Sequence, residues 1–95
     1  MKYFVYIIYS PQTDSYYIGQ TQNIEQRIQL HNSGHFKNCS TKFANDWEIF
    51  FLLECNSRKQ ALAIEKHIKK NRNRNYYNNL VKYPEISHKL LLKYL

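Results

Sequence analysis

Glycine and proline are scarce in this chain, which has 95 residues and only two of each. Such a composition excludes a collagen-like fibre and disfavours a disordered, proline- and glycine-rich chain. No apolar run approaches the ~20 residues that a membrane-spanning helix needs. The first nine residues, MKYFVYIIY, are too short and too rich in tyrosine for a secretory signal. We therefore expect one folded domain over residues 1–95, located in the cytoplasm.

Cysteine is equally rare, with only Cys39 and Cys55 present. A chain with no export signal keeps such thiols reduced, so we expect both cysteines to be free and dispensable. Neither belongs to a CxxC pair, and the four histidines do not stand at zinc-ligand spacing from them. Cys39 also lies in a polar stretch without a nucleophile motif. The sequence therefore argues against a zinc site and against a cysteine nucleophile.

Positive charge is abundant, and it is confined to one half of the chain. Residues 1–50 carry four Lys/Arg and four Asp/Glu, whereas residues 51–95 carry ten Lys/Arg and three Asp/Glu. The second half therefore holds the entire net charge of +7. Such asymmetry favours a polyanionic partner, although a solvated surface would look the same by charge alone.

Aromatic and β-branched residues fill the N-terminal part, as strands require. The predicted elements are a β-hairpin over 2–21, a helix over 23–34, a strand over 47–55, a helix over 58–70 and a last helical segment over 86–94. The run Asn71-Arg72-Asn73-Arg74-Asn75 consists of poor helix formers and breaks the pattern. This order predicts an α+β domain with a small, mainly antiparallel sheet.

Three charged or ionisable residues lie where apolar residues are expected. Arg27 and His31 share the inward stripe of the first helix, one turn apart. Glu65 lies among the core positions of the helix over 58–70. A buried carboxylate needs a cation or a metal, so a salt bridge to Arg27 is the structural alternative to a functional role.

The hairpin is crowded with tyrosines, which suit strands but can also hydrogen-bond a phosphate or orient a water. Gly19 in the middle of the second strand weakens that strand unless something approaches its backbone closely.

Together these residues resemble the GIY-YIG nuclease superfamily, in particular its small single-domain members. The resemblance rests on Phe4-Val5-Tyr6, on Tyr17-Ile18-Gly19, and on Arg27, His31 and Glu65, in that order along the chain. The first half-motif keeps only its tyrosine. The resemblance is strongest over 2–70, and residues 75–95 form a C-terminal extension outside it.

The resemblance implies a three-stranded antiparallel sheet flanked by helices and a metal-dependent endonuclease that hydrolyses DNA phosphodiester bonds. Tyr6 and Tyr17 would contact the scissile phosphate and the attacking water, one of them serving or assisting as general base. Arg27 would stabilise the phosphorane charge, and His31 would assist proton transfer or orient the phosphate. Glu65 would hold Mg²⁺ or Mn²⁺.

We therefore expect these five residues to converge on one concave, partly exposed site, with Tyr6 and Glu65 on the same face of the sheet. We expect phosphate contacts from a further set, namely Gly19, Lys66, Lys69, Lys70, Arg72 and Arg74, with Arg58 and Lys59 flanking it. The expected partner is duplex or branched DNA, in repair or recombination, with no membrane association. A monomer or weak homodimer is expected, and a targeting protein partner stays open.

The main alternative is a nucleic-acid-binding module without catalysis, which could use the same basic helix and aromatic residues. A protein-interaction domain would explain the tyrosines but not Arg27, His31 and Glu65. Glu65 separates these hypotheses, because a surface that only binds phosphates has no need of a carboxylate facing them.

Overall fold

The computed structural model describes residues 2–34 and 43–95. Its strands are β1 (Tyr3–Ser10), β2 (Ser15–Thr21) and β3 (Glu48–Cys55), and its helices are α1 (Ile24–Asn32), α2 (Arg58–Lys70), α3 (Arg74–Lys82) and α4 (Pro84–Lys93). The strands form one antiparallel sheet in the order β2-β1-β3. The predicted α+β fold with a small three-stranded antiparallel sheet is confirmed.

The central strand β1 is buried on both faces, so its alternating side chains build two separate cores. Val5 and Ile7 pack with Ala61, Ile64 and Ile68 of α2, on what we call the α2 face of the sheet. Tyr6 and Ile8 point the other way and pack with Ile24 and Ile28 of α1, on the α1 face. The sheet thus separates the two helices that carry the predicted site residues.

The hairpin register determines which residues of β2 join each face. Tyr6 lies opposite Gly19, and Ile8 lies opposite Tyr17. Directly paired residues in an antiparallel sheet point to the same side, so Tyr17 belongs to the α1 face. Because β1 is central, β2 is an edge strand, and α2 packs across β1 and β2 towards that edge.

Helix α3 was missed by the sequence prediction, which placed an irregular break over 71–75. The break is shorter, because Asn73 is the N-cap of α3 and its side chain accepts a hydrogen bond from the backbone N–H of Tyr76 at 2.7 Å. Tyr77 and Leu80 of α3 are buried in the same core as α2. Tertiary packing and the cap therefore outweigh the weak helix propensity of the Asn/Arg run.

Helix α4 begins at Pro84 rather than near Ile86, since proline is well suited to a first helical position. Leu90 joins the core of the α2 face. The side-chain amide of Gln60 donates a hydrogen bond to the backbone carbonyl of Leu91 at 2.9 Å and ties α2 to α4. Residues 75–95 therefore complete the hydrophobic core.

Cys55 is a buried free thiol at the end of β3. Burial raises the pKa of this thiol, which makes it a poor nucleophile at neutral pH. Cys39 lies outside the described residues.

Replacing the α3 cap tests the assignment of that helix. Asn73→Ala removes the acceptor for the Tyr76 amide, and we expect the free energy of unfolding to fall by about 1 kcal/mol. Asn75→Ala is the matched control, because Asn75 is exposed inside the same first turn. Urea denaturation of both variants measures the difference. Equal destabilisation by the two substitutions would show that Asn73 has no capping role.

Candidate active site

The close approach that Gly19 requires comes from the ring of Tyr6 on the neighbouring strand. A β-carbon added to Gly19 would lie 2.6 Å from Cζ of Tyr6 and closer still to the hydroxyl oxygen. Real contacts of this kind are never so short, so glycine is the residue that lets the Tyr6 ring lie flat across β2. Gly19 was predicted as a nucleic-acid contact. That contact stays a prediction, and the Tyr6 ring covers the side-chain face of Gly19.

Tyr6 and His31 form a buried pair on the α1 face. The Tyr6 hydroxyl and Nε2 of His31 are 3.0 Å apart, and the two residues are 1% and 2% exposed. Tyr17 covers them, with its ring centroid 5.0 Å from that of His31 and 6.5 Å from that of Tyr6. Tyr17 itself is half-buried. The three side chains therefore form one aromatic cluster with Tyr17 as its outer member.

Helix α1 places Arg27 one turn before His31, as the helical spacing predicted. Arg27 is half-buried. Burial of the imidazole and, as the smaller cause, the positive charge of Arg27 together lower the pKa of His31 to about 4. His31 is therefore neutral at physiological pH, so the formal positive charge beside the aromatic cluster is that of Arg27.

The residue after His31 fixes the end of α1 and was not recognised from the sequence. The side chain of Asn32 accepts a hydrogen bond from the backbone N–H of Trp47 at 2.6 Å and donates one to the Trp47 carbonyl at 3.0 Å. Trp47 is buried beside Tyr6 and Ile8. The signal for this role was the position of Asn32 directly after His31. The partner, 15 residues away, could not be read from the sequence.

Glu65 lies on the other side of the sheet. Helix α2 packs against Val5 and Ile7, whereas Tyr6 points to the α1 face. The expectation that Tyr6 and Glu65 share one face of the sheet, within one concave pocket, is wrong. The physical reason is strand alternation, because Tyr6 cannot face α2 when both its neighbours do.

The Glu65 carboxylate is only 15% exposed and forms an ion pair with Lys69 at 3.7 Å. The ion pairs of residues 2–34 and 43–95 do not include one between Glu65 and Arg27. The structural explanation for a carboxylate in this stripe of α2, a salt bridge to Arg27, therefore does not apply.

The edge of β2 is where residues from the two faces meet. At the C-terminal end of β2, Arg27 of α1 and Arg58 of α2 line one pocket with Gln20 and Thr21. At the other end, Tyr17 lines a second pocket with Lys69 and Arg72. The first pocket thus combines Arg27 with a cation of α2. The second combines Tyr17 with cations from the α2 side.

The other basic residues that were predicted to contact phosphates lie in two other places. Arg74 binds the β1–β2 turn through two hydrogen bonds to the Asp14 carboxylate, at 2.8 and 2.9 Å, and one to the Asp14 carbonyl at 2.9 Å. Lys66 and Lys70 line a pocket with Lys93, next to the 2.9 Å hydrogen bond between His67 and Tyr94. Only Lys69 and Arg72 of the predicted basic set lie beside Tyr17.

The candidate ligand for a metal ion in this site is a single carboxylate, that of Glu65. No group of three or more His, Cys, Asp or Glu side chains that could hold a metal occurs within residues 2–34 and 43–95. Mg²⁺ is commonly held by one or two carboxylates together with waters and substrate phosphates. The Glu65 carboxylate, which pairs with Lys69 on α2, fits this type of site and no closed protein cage.

The GIY-YIG catalytic domain model matches residues 2–78. The match covers most of the chain, and GIY-YIG is a nuclease family. The chain therefore belongs to the GIY-YIG family.

Among solved structures, the solution NMR structure of the UPF0213 protein BH0048 from Bacillus halodurans is similar to this chain. The two are 26% identical with a TM-score of 0.51, over 86% of this chain and 84% of that chain. A search of curated proteins finds no significant match. Over the described ranges, 2–34 and 43–95, no helix has the length and apolar character to cross a membrane.

The fit between Tyr6 and Gly19 predicts a coupled pair of substitutions. Gly19→Ala should lower the free energy of unfolding by about 1–3 kcal/mol, because the new methyl group overlaps the Tyr6 ring. In a Tyr6→Leu background the same substitution should lower the free energy of unfolding much less, since the ring is absent. Urea denaturation of the two single variants and the double variant measures the coupling. The same cost in both backgrounds would show that Tyr6 is not what requires glycine.

The buried neutral His31 predicts a pH dependence of stability. Its pKa is about 4 in the folded protein and near ~6.5 when unfolded, so the unfolded chain binds the proton first as the pH falls. We expect the free energy of unfolding to decrease between pH ~6.5 and ~4 by about 3 kcal/mol. His67 adds to the same trend, because burial and the charges of Lys93 and Lys70 lower its pKa.

Urea denaturation between pH 4 and 7.5 should show this loss in the wild type and a much smaller loss in His31→Gln. His67→Gln serves as the comparison for a histidine outside the cluster. An unchanged pH dependence in His31→Gln would contradict the assignment of a neutral, desolvated imidazole.

Proposed function

We propose that this chain is a metal-dependent endonuclease that hydrolyses phosphodiester bonds of DNA at the exposed edge of β2. The observation that supports this most directly is that residues from both faces of the sheet meet at that edge. Arg27 and Tyr17 reach it from the α1 face, and cations of α2 line the same two pockets. A phosphate at the edge can be approached from both faces, so Glu65 need not share a face with Tyr6.

Tyr17 of the aromatic cluster and Arg27 beside it are the groups that can touch the substrate, because both are half-buried rather than enclosed. The guanidinium of Arg27 would bind the phosphate through paired hydrogen bonds and stabilise the negative charge that grows on its oxygens. The Tyr17 hydroxyl would hold the attacking water in line. A free phenol has a pKa near ~10, so orientation of the water is the better role than proton abstraction.

Tyr6 and His31 would act as positioning residues behind them. Both are almost completely buried, and their mutual hydrogen bond places the imidazole under the Tyr17 ring. A neutral His31 lets the Arg27 charge stay nearby without repulsion. Its low pKa argues for orientation rather than for proton acceptance at neutral pH.

Glu65 would hold the divalent ion, for which the family has a general requirement. When bound, Mg²⁺ or Mn²⁺ neutralises phosphate charge and polarises the bond to be broken. Lys69, which pairs with Glu65 in the structure, then becomes free to bind a phosphate oxygen. The carboxylate also distinguishes the proposal from a binding module, because a surface that only binds phosphates gains nothing from a carboxylate that occupies one of its lysines.

Nicking of supercoiled plasmid by Glu65→Gln tests the proposal. Loss of the metal-holding charge should reduce cleavage by about 10²–10³-fold or more in Mg²⁺ or Mn²⁺, the scale typical of one charge interaction at a reacting centre. Stability should change little, because glutamine matches glutamate in size and the unpaired cation that is left, Lys69, is 39% exposed to water. EDTA should abolish cleavage by the wild type.

Glu54→Gln is the matched control, because Glu54 is an exposed carboxylate on β3 that pairs with Lys2. It should cleave like the wild type. Branched and duplex oligonucleotides in the same assay test the proposed preference for particular DNA structures in repair or recombination. Full metal-dependent cleavage by pure Glu65→Gln would refute the metal assignment, and DNA binding without cleavage by the wild type would favour the binding module.

A further inference from the structure

One stripe of α2 faces the edge of β2 and carries charges in a fixed order. Arg58, Glu65 and Lys69 are seven and four residues apart, so at 3.6 residues per turn they lie within about 40° of one another around the helix axis. The helix rises ~1.5 Å per residue, so the stripe is ~16 Å long. A single strand of duplex rises 3.4 Å per nucleotide, so the stripe is as long as about five nucleotides.

Each end of this stripe meets a different part of β2. Arg58 lines the pocket with Gln20, Thr21 and Arg27, and Lys69 lines the pocket with Tyr17 and Arg72. Glu65 lies between them along the helix and pairs with Lys69. Two pockets along β2, each with two cations, are therefore linked by a stripe of α2 that carries a carboxylate, and we call this arrangement the groove.

We propose that this groove binds one strand of the nucleic acid along its length and holds the phosphates on both sides of the scissile one. Arg27 and Arg58 take the phosphates on one side, and Lys69 and Arg72 take those on the other. This inference rests on the proposed function for the position of the scissile phosphate at Glu65. It goes further in assigning the path of a single strand and the residues that flank the cut.

The same geometry separates these cations from the other basic residues of the C-terminal half. Lys66 and Lys70 are turned about 80–120° away from Arg58 around α2. They line the pocket that Lys93 and the His67–Tyr94 pair form against α4. Arg74 is bound to Asp14 and contributes by holding the start of α3, next to Arg72, against the hairpin.

Two variants with the same loss of charge test the groove. The groove variant carries Arg58→Gln, Lys69→Gln and Arg72→Gln, and the outer variant carries Lys59→Gln, Lys66→Gln and Lys70→Gln. Both are made in Glu65→Gln to suppress cleavage, and binding to a fluorescein-labelled duplex is measured by anisotropy at several salt concentrations. Circular dichroism checks the fold, and the six single variants replace any triple variant that does not fold.

The slope of log affinity against log salt falls by about 0.9 for each lost phosphate contact. The groove variant should lose nearly three in slope, and the outer variant less than one. Equal losses, or a larger loss in the outer variant, would overturn the proposal.

A second measurement separates this inference from the proposed function. Neutral methylphosphonates are placed at single positions around the cleavage site of a duplex, and wild-type cleavage is measured. Interference on both sides of the cut in the same strand is expected. In the groove variant with Glu65 restored, it should weaken most on the side of Lys69 and Arg72, because Arg27 remains on the other side. Cleavage by that variant at the wild-type rate would leave the nuclease function standing and refute the groove. If the groove variant alone loses binding but the wild type never cleaves, the groove stands and the nuclease function is refuted.

Discussion

The fit of the Tyr6 ring over Gly19 is the contact on which the site depends. It brings two strands of the hairpin together at a point where any β-carbon would overlap the ring. The ring in turn places the phenol 3.0 Å from Nε2 of His31, and His31 supports Tyr17. Because Asn32 holds the end of α1 to Trp47, the imidazole cannot move away from this contact without breaking two hydrogen bonds. The absence of a side chain at Gly19 therefore determines the arrangement of the α1 face.

The charges of the site follow from burial. A protonated His31 would be desolvated and would lie beside Arg27, so both effects keep the imidazole neutral. Arg27 is then the cation next to the aromatic cluster. Glu65 has the opposite requirement, because a carboxylate that is 15% exposed needs a cation, and Lys69 supplies it. Exchange of that lysine for a divalent ion would leave Lys69 available to the substrate.

A small sheet brings these groups together only at its edge. With three strands and β1 in the centre, each face is covered by a different helix, and a side chain from one face cannot pass through the sheet. At the edge of β2, residues of α1 and α2 line one pocket, and Tyr17 of the α1 face lines a second pocket with Lys69 of α2.

The sequence by itself determined the hairpin, the first helix, the third strand and the helix over 58–70, since apolar spacing and caps such as Asn23 are local properties. It also determined that Arg27, His31 and Glu65 were anomalous, because each lies in an apolar stripe. Helix α3 was missed, since its buried Tyr77 and Leu80 are favoured by a core that forms only on folding. The tertiary structure alone decided that Tyr6 and Glu65 lie on opposite faces, that Gly19 accommodates Tyr6, and that Arg74 binds Asp14 across 60 residues. These facts depend on strand pairing and on contacts between distant segments, which spacing along the chain does not contain.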